Sequence, residues 1–63
     1  PDRIVWLRDG SIAVVDYKFG SADRPAYHTQ LRRYLRMLAD AGHTGAHGHL
    51  WFPLTGRIID VGP

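Results

Sequence analysis

Residues 12–20, Ile-Ala-Val-Val-Asp-Tyr-Lys-Phe-Gly, constrain this chain more than any other stretch. A run of small and β-branched residues favours a buried strand. Side chains of a strand alternate between its faces, so Asp16 and Lys18 point one way and Tyr17 the other. Packing gives an apolar strand no reason to carry an acid and a base together on one face. A site that holds a divalent cation and stabilises charge on a phosphate does have such a reason. An ordinary ion pair where the sheet meets solvent is the competing explanation. The rest of the chain has to separate the two.

At 63 residues the sequence suffices for one small domain. A core of this size is marginal, and natural domains this short usually add disulfides, a metal or a partner surface. There is no cysteine, which removes disulfides and thiolate zinc sites and fits a reducing, cytoplasmic setting. Hydrophobic residues make up 44%, which argues for a folded segment over a disordered one. No apolar run approaches membrane-spanning length and no signal peptide is visible, so no membrane partner is expected. A net charge of +2 permits nucleic-acid binding without demanding it. The chain opens at Pro1-Asp2 with no initiator Met and no lead-in to its first strand, and it reads as a piece of a larger protein.

Taken in order, residues 3–8 are rich in β-formers and run into Asp9-Gly10, a strong hairpin signal. Residues 11–18 then return antiparallel. A two-residue Asp9-Gly10 loop would set Asp2 opposite Tyr17. A three-residue loop, Arg8-Asp9-Gly10, with Gly10 left-handed, sets Asp2 opposite Asp16 on one face. If Asp2 and Asp16 share a metal, the three-residue loop or an equivalent bulge is expected. Residues 19–25 read as a loop, with Asp23 or Pro25 a candidate helix start. From residue 26 to 41 the period is helical: Tyr27, Leu31, Tyr34, Leu35 and Leu38 form one apolar stripe, with Arg32, Arg33 and Arg36 on the far side and Gly42 as the stop. Residues 48–52 and 57–61 read as two further strands around a turn at residues 53–56. The expected fold is α+β, in the order β-β-α-β-β: a small mixed sheet with one helix on one face and the other face bare.

Gln30 and Tyr34, four residues apart, stack on one edge of the helix, beside Leu31 and Leu35, which take the core. The helix follows the strand directly, so their polar tips can reach toward Asp16 and Lys18. A boundary glutamine and a half-buried tyrosine account for the same pair if it stands alone. His43, His47 and His49 invite comparison with a zinc site, but incidental surface imidazoles explain them better. Trp6, Trp51 and Phe52 have the rings to stack on bases; in apolar strands they are more often core.

In combination, Pro1-Asp2-Arg3, Val15-Asp16-Tyr17-Lys18-Phe19-Gly20 and Gln30-Leu31-Arg32-Arg33-Tyr34 resemble the RecB-type nuclease module of the PD-(D/E)xK superfamily, found at the C-terminal ends of RecB, AddA and UvrD-like helicase-nucleases. The resemblance covers essentially the whole chain, the last two strands included. It implies a partial restriction-endonuclease-like α/β core spanning residues 1–63, the C-terminal part of a larger protein. It also implies metal-dependent hydrolysis of DNA phosphodiesters in repair and recombination. Asp2 and Asp16 would hold Mg²⁺ or Mn²⁺ with the backbone carbonyl of Tyr17. Lys18 would orient the attacking water or stabilise the transition state, and Gln30 and Tyr34 would position DNA. Arg32, Arg33 and Arg36 would add phosphate contacts, which a solvated helix face explains at least as well.

The family's pattern also has a helix before the first Asp, carrying a histidine and often an acidic residue near the metal; it does not fall within this sequence. The expected partners are therefore DNA and the rest of the parent polypeptide, with weak activity or none from these residues alone. A non-catalytic DNA-binding or structural module that retains the fold is the alternative. A protein-interaction domain using the bare sheet face is a third reading, and that face leaves room for self-association.

Overall fold

The computed structural model describes residues 3–62. The elements are β1 (Arg3–Trp6), β2 (Ile12–Tyr17), α1 (Pro25–Asp40), β3 (His47–Phe52) and β4 (Arg57–Val61). The strands lie side by side in chain order, with β1–β2 and β3–β4 antiparallel and β2–β3 parallel. The result is a small α+β domain, a four-stranded mixed sheet with one helix, in the expected β-β-α-β-β order. A parallel pair cannot be closed by a tight turn, and α1 is the crossover that joins it. No helix among the described residues is long and apolar enough to cross a membrane.

The first hairpin is set by its loop. The Leu7 N–H donates to the Ser11 carbonyl at 2.9 Å, and the Gly10 N–H to the Leu7 carbonyl at 3.0 Å. Three residues, Arg8-Asp9-Gly10, therefore form the loop, with Gly10 at φ +89°, where an L side chain is strained. That loop fixes the register: Arg3 pairs with Val15 and Trp6 with Ile12. Asp2, whose pairing motivated the expectation of this loop, lies outside the described residues. The Asp9 carboxylate accepts hydrogen bonds from the Ser11 N–H at 2.9 Å and the Ser11 hydroxyl at 2.6 Å. Those two bonds hold its pKa below the ordinary aspartate value.

Helix α1 begins and ends one residue earlier than the apolar period suggests. Pro25 occupies its first turn, where a missing N–H costs nothing, and Arg24 caps it without a side-chain bond. Asp23, the other candidate start, instead pairs with His28, whose Nε2 lies 2.8 Å from a carboxylate oxygen. At the other end Gly42 adopts φ +103°; its N–H donates to the Ala39 carbonyl, and the His43 N–H to the Leu38 carbonyl at 2.8 Å. This is the double bond pattern of a Schellman stop.

Strand alternation then places the core. Ile12 and Val14 of β2, Leu50 and Phe52 of β3 and Val61 of β4 face the helix and are buried against Leu31 and Leu35. Gly48 is the closest point of that contact. A Cβ built there would lie 2.9 Å from both Cγ and Cδ2 of Leu31 and 3.0 Å from Cδ1 of Leu35. The helix packs chiefly on β3 and β4.

Two of the three aromatic residues expected in the core are elsewhere. Phe52 is buried, but Trp6 is 65% and Trp51 37% exposed. Trp6 sits on edge strand β1, beyond the helix, with its ring 5.4 Å from that of His43. Trp51 points to the face that carries no helix, where it meets Tyr17 edge-on at 5.0 Å. That face is the bare one the sequence anticipates, a shallow concavity of about 520 Å³ across all four strands.

Two predictions follow from these contacts. Gly48→Ala should destabilise the domain by about 1–3 kcal/mol in denaturant melts, because two well-packed leucines must move to admit one methyl group. Asp9→Ala should lower the melting temperature at neutral pH. The folded pKa of Asp9 lies below its unfolded value, so its contribution is full above the unfolded value and is lost as pH falls through the folded one. The gap between wild type and variant should therefore close in acid, and a gap independent of pH would refute this role for Asp9.

Candidate functional site

Helix-facing positions of β2 run Ile12, Val14, Asp16, so the alternation that buries two aliphatic side chains buries a carboxylate next. Asp16 is 6% exposed. Its neighbours across the sheet are Leu50 and, beyond it, Ile59. A charged group among such residues costs free energy unless it is paired or ligated. The Lys18 ammonium stands 4.0 Å from Asp16 Oδ2, at the outer limit of an ion pair, on the same face of the chain as expected. The Lys18 N–H continues the parallel ladder by donating to the Trp51 carbonyl at 2.8 Å. Its side chain lies over the Tyr27 ring, with Nζ 4.6 Å from the centroid. A cation over an aromatic face is restrained without being neutralised.

The helix supplies the opposite wall. Asp16, Gln30 and Tyr34 line one cavity of about 270 Å³, together with Leu31, Arg33 and Met37. The expected meeting of the Gln30–Tyr34 edge with the end of β2 is therefore present. Lys18 does not line this cavity; it flanks Asp16 on the Tyr27 side. Tyr17 projects to the open face, and only its backbone lies beside Asp16.

Arg33 and Met37 were not anticipated at this cavity. The signal for both is present in the chain: residues 30, 33, 34 and 37 follow the three- and four-residue spacing that defines one helix edge. Assigning Arg33 to the far side hid it, because a long side chain at the margin of a stripe serves either face.

The donor set suits a hard cation in part. Asp16 offers a carboxylate oxygen and Gln30 an amide oxygen, both of the class that Mg²⁺ and Mn²⁺ select. Asp2, the other expected carboxylate, lies outside the described residues. Among the described residues no group of three or more His, Cys, Asp and Glu side chains converges. The three histidines weighed for zinc do not converge among the described residues: His43 meets Trp6, His47 is exposed at the start of β3, and His49 has Nδ1 2.8 Å from Asp60 Oδ1 across the β3–β4 pair, while the fourth, His28, pairs with Asp23.

Compared with family models, with curated proteins and with solved structures, the chain has no match in any of the three.

Proposed function

We propose that this chain is the core of a metal-dependent DNA phosphodiester hydrolase of the RecB-type, PD-(D/E)xK kind, with a partial restriction-endonuclease-like fold. One observation carries the reading: a buried Asp16 beside Lys18, at the strand end where the helix presents Gln30 and Tyr34 to the same cavity. The mixed sheet with its parallel β2–β3 pair and crossover helix supports it.

Asp16 would hold Mg²⁺ or Mn²⁺ through its carboxylate, with Asp2 and the Tyr17 carbonyl completing the protein's share. When bound, such an ion lowers the pKa of a water and offsets charge on the scissile phosphate. Lys18 would contribute a positive charge from the Tyr27 side of Asp16, at the margin of the cavity. Its ammonium donates to the oxygens on which charge grows as the water oxygen bonds to phosphorus and the ester P–O bond breaks. Gln30 presents an amide and Tyr34 a hydroxyl at the cavity wall, two neutral groups that orient a phosphodiester without adding charge.

Two measurements test this reading. Mn²⁺ titration by calorimetry should give binding in the wild type that disappears in Asp16→Asn. In an assay of Mn²⁺-dependent cleavage of single- and double-stranded DNA by the full-length protein, Asp16→Asn and Lys18→Ala should each lower the rate at least about 100-fold. Full activity in both variants would sink the hydrolase reading. DNA affinity indifferent to Mn²⁺ and to Asp16→Asn, with no cleavage, would instead favour a non-catalytic DNA-binding module.

A further inference from the structure

The outer face of α1 carries three guanidiniums, Arg32, Arg33 and Arg36, around a second concavity of about 210 Å³ whose fourth wall is Thr29. Arg33 lines both this concavity and the Asp16 cavity, so the two are contiguous through one side chain. Among the described residues none of the three arginines takes part in an ion pair. The helix offers them little to pair with: Asp40 is its only acid, and it forms no ion pair with Arg36 four residues before it. Arg32 and Arg36 are four apart and Arg33 and Arg36 three apart, spacings at which like charges destabilise a helix. A merely solvated face would gain from acids interleaved at these positions, as exposed helices commonly have. Here the repulsion stands uncompensated within the helix, which is the pattern of a surface that meets an anion supplied from outside.

We propose that this face is a track for the sugar-phosphate backbone of a nucleic acid strand, leading across α1 by way of Arg33 to the Asp16 cavity. The proposal rests on the hydrolase reading for its direction and not for the binding itself. Gln30 to Arg36 spans six residues, about 9 Å along the helix axis, the reach of roughly two to three nucleotides. Guanidiniums suit this role better than ammoniums would, since each donates a planar fork matched to phosphate oxygens. The track contacts backbone alone, so it confers affinity and orientation with no preference for base sequence.

Binding of a fluorescein-labelled oligothymidylate, followed by anisotropy in EDTA over a series of salt concentrations, tests this without interference from cleavage. Arg32→Gln with Arg36→Gln should weaken binding at least about 10-fold and flatten the slope of log affinity against log salt by about one to two phosphate contacts. Glutamine has nearly the helix propensity of arginine, and circular dichroism verifies that the fold is kept. Unchanged affinity and slope in that double variant, or no binding by the wild type, would overturn the track. Full displacement by millimolar inorganic phosphate at constant ionic strength would also overturn it, by showing a site for a single anion. The two proposals have separate readouts, because cleavage depends on Mn²⁺ and Asp16 whereas the binding followed in EDTA depends on Arg32 and Arg36. Arginine-dependent binding without any Mn²⁺-dependent cleavage by the full-length protein would remove the hydrolase reading and leave the track standing. Cleavage lost in Asp16→Asn with binding indifferent to the arginines would do the reverse.

Discussion

The spacing between the helix and the sheet depends on a side chain that is not there. Gly48 is the second residue of β3, paired with Val14 on one side and Val61 on the other, and Leu31 and Leu35 press directly onto its backbone. Any larger residue would lift α1 away from the sheet or rotate it about its axis. Because Leu31 is wedged at Gly48, the neighbouring positions on the helix have fixed directions. Gln30 and Tyr34 fall at the edge that overhangs the end of β2, and Arg32 and Arg36 fall outside. The candidate site inherits its geometry from a packing contact that contains no functional group.

Asp16 is the second constraint, and it works against the first. The apolar contact that seats the helix also shields the carboxylate next to it, removing water that would otherwise solvate the charge. A core of this size has little free energy to spare for such a group. An apolar residue at position 16 would continue the Ile12–Val14 row and would be the better choice for stability alone. Keeping an ionisable group there departs from the apolar pattern of the strand, and that departure is the ground of the proposed site. Lys18 at 4.0 Å offsets part of the cost, yet its engagement with Tyr27 leaves it positioned for something beyond Asp16.

The sheet's two faces account for where the aromatic expectations went astray. Trp51 and Phe52 are adjacent, so alternation must send them to opposite sides, and only one side has a helix. Phe52 closes the core, while Trp51, Tyr17 and Ile58 occupy the uncovered concavity. Trp6 faces the helix side but stands on the edge strand, whereas α1 packs chiefly on β3 and β4. Composition and β-propensity treat these aromatic residues alike. Which of them is buried depends on the width of one helix laid across four strands, and no local pattern encodes that.

Local chemistry wrote a good deal of this molecule directly into its sequence. The order of elements, a hairpin turn at Asp9-Gly10, the Gly42 stop and the shared face of Asp16 and Lys18 all follow from backbone sterics and from periods of 2 and 3.6, which act between residues close in the chain. The choice of a three-residue loop is tied instead to the expectation of a metal shared by Asp2 and Asp16. The nearness of Gln30 and Tyr34 to Asp16 was also legible, since a short loop joins their elements. Tertiary structure alone decided the seating of α1 on Gly48, the entry of Arg33 and Met37 into the Asp16 cavity and the exposure of Trp6 and Trp51. Those outcomes depend on steric fit and coverage between segments distant in sequence, which propensity and periodicity do not contain.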